Sequence, residues 1–112
     1  MTFDPFDVVA VPFPFTDKAA AKRRPALVVS AKAFNARHDQ LVLAMITTAQ
    51  RSDWPSDVVI ADWARAGLSV PCRVRLKLFT LDATLVAKRI GALAKKDRDA
   101  VRQALTRALA VA

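Results

Sequence analysis

The chain has 112 residues, 54% of them hydrophobic and 25% charged, and carries a formal net charge of +8. That balance excludes a disordered tail, suits one domain over 1–112, and favours polyanionic partners, nucleic acid first and acidic proteins second. A single cysteine, Cys72, rules out an intrachain disulfide and a cysteine-rich zinc site, and fits a reducing compartment.

The N-terminus "MTFDPFDVV" lacks the basic start of a signal peptide. No apolar stretch approaches the roughly 20 residues that span a bilayer. A soluble cytoplasmic protein without membrane contact is therefore expected, and its small size leaves apolar surface for an oligomer to cover.

In chain order, residues 7–12, "DVVAVP", read as a strand closed by Pro12. Residues 16–23 read as a loop carrying Lys18, Lys22 and Arg23. Pro25 holds Arg24 extended at the entry of a second strand, "ALVVS". That basic loop is either a solvated edge or a device for holding an anion. Residues 31–39 hold a helical turn or a loop. The continuous apolar run "LVLAMIT" (41–47) predicts a strand buried on both faces. A polar loop with Pro55 follows, then a short strand "VVIAD". In "SVPCRVRLKLFT" the alternation puts Arg73, Arg75 and Lys77 on one face and Val74, Leu76 and Leu78 on the other. "LDATLV" predicts a short helix and "AKRIGALA" a last strand. Val101, Ala104, Leu105, Ala108 and Leu109 recur at helical spacing in an amphipathic C-terminal helix packed on the sheet. Short strands followed by one helix predict a small antiparallel β-barrel of the α+β class.

Two glycines leave no Gly-rich phosphate loop. His38 is the only histidine, which excludes a two-histidine acid/base pair and leaves no metal-ligand spacing; it reads as a surface residue. A Ser-His-Asp or Cys-His arrangement would have to recruit it. Cys72, among apolar and β-type residues, reads as a core thiol. The remaining candidates are basic and hydroxylic. An arginine at a strand entry (Arg24) and a threonine pair at a strand exit (Thr47, Thr48) can converge at one rim of a small barrel. There a guanidinium grips a phosphate and a hydroxyl adds a hydrogen bond, with no metal or other cofactor. Lys22, Arg23, Thr48, Gln50, Arg51, Trp54, Arg73, Arg75 and Lys77 are the expected lining of a groove beside it. Trp54 offers a face on which an unpaired base stacks, or else covers the core; Trp63 reads as a packing residue.

Together "DVVAVPFPFTD…KRRPALVVS", "AMITTAQ", "RVRLKLFTLD" and "RIGALAKKDRDAVRQAL" resemble the MazF/PemK toxins of type II toxin–antitoxin modules, over nearly the whole chain and in the family's order. The resemblance implies an SH3-like barrel with a C-terminal helix, usually a homodimer. It also implies a metal-independent endoribonuclease that cuts single-stranded RNA at short motifs, leaving 2′,3′-cyclic phosphate and 5′-hydroxyl ends. The arginine before the proline, Arg24, would be catalytic, as would the first threonine after the apolar strand, Thr47. An acidic, partly disordered antitoxin segment would lie across the groove and silence it. One departure is clear: the loop "DKAAAKRRP" has alanines where many relatives have glycines and a carboxylate. The same barrel also carries CcdB, a gyrase-poisoning toxin. The alternatives are therefore a gyrase-inhibiting binding protein or an inactive homologue that only binds RNA or an antitoxin.

Overall fold

The period-two patterning of the strands becomes a sheet with an apolar layer on each face. The structure is a computed structural model that describes residues 2–13, 22–48, 50 and 52–110. Six strands form one curled antiparallel sheet: β1 (Asp7–Phe13), β2 (Lys22–Val28), β3 (Gln40–Thr47), β4 (Val58–Val59), β5 (Arg73–Asp82) and β6 (Lys88–Ala92). Their spatial order is β4-β5-β3-β2-β1-β6, a half-barrel version of the expected barrel. Helix α1 (Lys32–His38) links β2 to β3, a 3₁₀ turn (Ala83–Leu85) links β5 to β6, and α2 (Lys95–Ala108) follows β6.

Val8, Leu27, Ala44, Ile46 and Val74 lie on one face, packed with Ile60, Ala66, Leu93 and Val101 of α2. Val9, Val11, Ala26, Val28, Leu41, Leu43 and Leu81 lie on the other, with Phe3 beneath them. β3 contributes to both layers, as its unbroken apolar run requires. The alternation in β5 also holds, since Val74, Leu76 and Leu78 share the first layer.

The C-terminal helix is anchored by Val101, fully buried, and by Asp97, only 2% exposed. The Asp97 carboxylate accepts hydrogen bonds from the Ala61 and Asp62 amides, both at 2.9 Å. It thereby ties the first turn of α2 to the 61–67 turn and places negative charge at a helix N-terminus. Both glycines of the chain serve one crossing. A Cβ on Gly91 would fall 2.3 Å from the Ala66 carbonyl oxygen. One on Gly67, whose φ is +88°, would fall 2.5 Å from the Ile90 carbonyl oxygen. Only bare backbone lets the 61–67 turn lie this close to β6.

The sequence reading errs at three places. Pro12 does not close β1, which runs through it to Phe13. Ala10 accepts from the Ala87 amide on the β6 side, and Pro12 shares that backbone orientation. It lies beyond the last β1–β6 pairing, Ala10↔Lys88, so its missing N–H removes no ladder bond there. Lys22 and Arg23 are strand residues, paired with Phe13 and Pro12, rather than loop residues. The "VVIAD" strand shrinks to Val58–Val59, because Ile60 turns into the core instead. The basic face of β5 forms as expected, and within it Arg75 is buried, at 7% exposed. Residues 31–39 resolve into α1, and Lys18 lies outside the described residues.

Candidate functional site

The sheet register pairs candidates on neighbouring strands. β3 and β5 pair with Thr47 opposite Arg73, and Met45 opposite Arg75. β2 and β3 pair with Ala26 opposite Met45. That pairing ends there; carried two residues further, the same register would set Arg24 beside Thr47. Residues opposite one another in an antiparallel pair point to the same face. Thr47 and Arg73 therefore face the same side of the sheet, and the β2–β3 register, extended two residues beyond its last pair Ala26↔Met45, would set Arg24 on that side as well. The next row inward is Ala26, Met45 and Arg75. Arg24 is exposed and Thr47 half-buried. Thr47, Thr48, Gln50 and Arg73 line a pocket of about 150 Å³, together with Val59, Pro71 and Cys72.

A second set of interactions builds the wall beside this row. Arg75 holds Asp57 in a two-pronged pair: Nε donates to Oδ1 at 3.1 Å and Nη2 to Oδ2 at 2.8 Å. The same Nη2 donates to the Ser52 carbonyl at 2.7 Å. Asp57 also accepts from the Trp54 amide at 3.2 Å, and the Arg75 guanidinium lies 5.3 Å from the centre of the Trp54 ring. The hydrogen bond from Arg75 holds the Asp57 carboxyl below the usual carboxylate range, against the opposing effect of burial. Asp57 in turn raises the Arg75 guanidinium above its ordinary value. Arg73 pairs through Nη1 with Asp53 and lies 3.7 Å from Asp57. The loop after β3 is thus clamped to β5, with Trp54 standing 41% exposed at its crest.

Of the sequence candidates, Thr47, Thr48, Gln50 and Arg73 line one pocket, Arg24 lies on β2 outside that lining, and Trp54 belongs to the loop clamped to β5. Lys22 and Arg23 are exposed on β2 next to Arg24, and Lys77 is exposed further along β5. Arg51 lies outside the described residues. Arg75 is not an open cation, because its guanidinium is committed to Asp57 and Ser52. Sequence reasoning missed Ser52, Asp53 and Asp57. The available signal was two aspartates four apart in "SDWPSD", together with two arginines two apart in "RVR".

His38 is exposed at the end of α1, in contact with the Phe34 ring, and adjoins the opposite end of β3 from Thr47. Trp63 packs against the core, as expected. Cys72 is buried, its thiol donates to the Val70 carbonyl, and burial pushes its pKa up. Among the described residues, no three His, Cys, Asp or Glu side chains gather as a metal site, and no helix is long and apolar enough to cross a membrane.

A family model described as "PemK-like, MazF-like toxin of type II toxin-antitoxin system" matches residues 4–109. No curated protein matches the chain. Among solved structures, an endoribonuclease in complex with its cognate antitoxin from a mycobacterial species superposes with a TM-score of 0.77 at 18% identity, covering 99% of this chain and 96% of that one. A MazE–MazF structure from Deinococcus radiodurans gives 0.73 at 22% identity, covering 100% and 99%. The Mycobacterium tuberculosis toxin MazF-mt6 gives 0.72 at 20% identity, covering 90% and 93%.

Proposed function

The chain belongs to the PemK-like, MazF-like toxins of type II toxin–antitoxin systems, and on that premise we propose that it is an endoribonuclease that cuts single-stranded RNA by metal-independent transesterification. The observation that supports this reading is the pairing of Thr47 with Arg73, together with a β2–β3 register that, extended two residues past Ala26↔Met45, would set Arg24 beside Thr47.

In the proposed reaction the ribose 2′-oxygen forms a bond to the adjacent phosphorus and loses its proton. The P–O5′ bond breaks and the departing 5′-oxygen takes up a proton. The products are a 2′,3′-cyclic phosphate and a 5′-hydroxyl, so no external nucleophile is consumed. Negative charge builds on the non-bridging oxygens as phosphorus becomes pentacoordinate. The Arg24 guanidinium, with two parallel donors, stabilises that charge, and the Thr47 hydroxyl donates to one of the same oxygens. A guanidinium offers donors and no acceptor, so the role of Arg24 is electrostatic rather than that of a free base. Lys22, Arg23 and Lys77 supply field that gathers the polyanion. Trp54 offers a base-stacking face and Arg75 holds it in place.

The partner is an acidic antitoxin segment that competes with RNA for this basic surface, and the working unit is a homodimer in the cytoplasm. The neighbours determined as toxin–antitoxin complexes support the antitoxin partner.

The test is incubation of wild type, Arg24→Ala and Thr47→Ala with a mixed-sequence RNA in EDTA, followed by mapping of the ends. Cleavage with 5′-hydroxyl ends by wild type, lost in both variants, is expected. Intact RNA with wild type, or unimpaired cleavage by both variants, would overturn the reading.

A further inference from the structure

The two carboxylates that face the β5 arginines are built differently. The Asp57 side chain is 5% exposed, doubly bonded to Arg75 and pinned by the Trp54 amide. The Asp53 side chain is 73% exposed and reaches Arg73, whose own side chain is 27% exposed and lies further from Asp57, at 3.7 Å. The first pair belongs to the framework; the second is a surface ion pair of the kind that contributes little to stability and exchanges readily. Yet Arg73 lies opposite Thr47 and lines the same small pocket. That pocket, about 150 Å³, is below the roughly 300 Å³ at which pockets for drug-sized ligands begin. It suits a group of phosphate size.

We propose that Arg73 is a second phosphate-holding residue of the site and that Asp53 is its displaceable counter-ion. When RNA arrives, a backbone phosphate takes over the Arg73 guanidinium and the Asp53 carboxylate returns to water. This inference rests on the reading of the site as an RNA-cleaving one and adds to it how the site is kept neutralised while empty. In a chain with a net charge of +8, such a carboxylate weakens adventitious anion binding. It favours ligands whose phosphate also reaches Thr47 and Arg24.

The experiment measures the affinity of a short mixed-sequence RNA, 2′-O-methylated throughout so that it cannot be cleaved, by fluorescence anisotropy at several salt concentrations. Asp53→Asn should tighten binding about 2- to 5-fold at low salt. Arg73→Gln should weaken it about 5- to 10-fold and lower the slope of log K against log salt by about one. In the Arg73→Gln background, Asp53→Asn should give no gain, because its effect runs through Arg73. Asp39→Asn removes the same charge at the far end of β3, where Asn suits the left-handed backbone (φ 52°). It should give less than half the gain. Arg73→Lys, which keeps the charge, covers the case of a misfolded Gln variant and should lose less affinity than Gln. The proposal is overturned if Asp53→Asn fails to tighten binding, if its gain persists without Arg73, or if Asp39→Asn matches it. When wild type still cleaves unmodified RNA, those results sink the counter-ion alone. If wild type neither binds nor cleaves, the functional reading falls and the proposal with it.

Discussion

Asp57 and Arg75 meet through two parallel hydrogen bonds, at 2.8 and 3.1 Å, and this pair fastens the loop after β3 to the neighbouring strand. Removing one partner leaves the other charged and largely shielded from water. Asp57→Asn should lower the melting temperature by roughly 5–10 °C. The pH dependence has a definite sign. The folded state holds the Asp57 carboxyl below its ordinary value. Its stabilising contribution is therefore complete above about pH 4–5 and is lost as pH falls through the lower, folded value. The melting-temperature gap between wild type and Asp57→Asn should be constant near neutrality and narrow in acid. A gap that widens on acidification would contradict the pairing.

Arg24 and Thr47 should differ in how much they contribute. Removal of one preorganised donor to a developing oxyanion costs about 10²- to 10³-fold in kcat. Arg24→Ala, which also removes a charge, should lie at or beyond the upper end of that range. Thr47→Ala should lie at or below the lower end. Arg24→Lys keeps the charge but not the planar fork and should recover only part of the loss. Single-turnover cleavage at saturating enzyme reads these effects separately from binding. An Arg24→Lys rate equal to wild type would mean that charge alone suffices.

Gly91→Ala tests the crossing of β6 with the 61–67 turn. The new methyl group would meet the Ala66 carbonyl oxygen at 2.3 Å, and that oxygen belongs to the backbone of the packed turn. A loss of about 1–3 kcal/mol in urea unfolding is expected. Gly67→Ala should cost a comparable amount, from the clash with the Ile90 carbonyl and the positive φ together. Combining the two should give less than the sum, since the first shift relieves the second contact.

Cys72 shares the pocket with Thr47, Thr48 and Arg73, so its position alone invites a nucleophilic role. Burial raises its pKa, which keeps it a thiol at neutral pH. Alkylation of the native protein should run at least about tenfold slower than in denaturant, and Cys72→Ala should cleave RNA within about threefold of wild type. Fast native alkylation together with loss of cleavage in Cys72→Ala would assign the chemistry to sulfur instead.

Much of this molecule is written locally. The alternation in "RVRLKL" set the two faces of β5, the unbroken run "LVLAMIT" announced a strand serving two apolar layers, and the spacing of Val101, Leu105 and their neighbours marked α2. These signals survive because side-chain periodicity depends only on the conformation of one segment. The combination of the Arg-Pro strand start, the Ile-Thr-Thr strand end and the Arg-Ile-Gly segment carried the family, and the match over residues 4–109 agrees.

What depended on partners distant in sequence could not be read that way. Whether Pro12 ends a strand depends on where β6 stops. Whether Gly91 is a turn glycine or a contact glycine depends on Ala66. Arg75 looked like its neighbours Arg73 and Lys77, yet only folding decided that it would spend its charge on Asp57, 18 positions earlier. A buried guanidinium must find a carboxylate, and which carboxylate it finds is settled by strand register and loop path. The sequence by itself determined which residues could hold a phosphate; the tertiary structure decided that Thr47 faces Arg73 across β3 and β5, and that Arg75 supports the wall beside them.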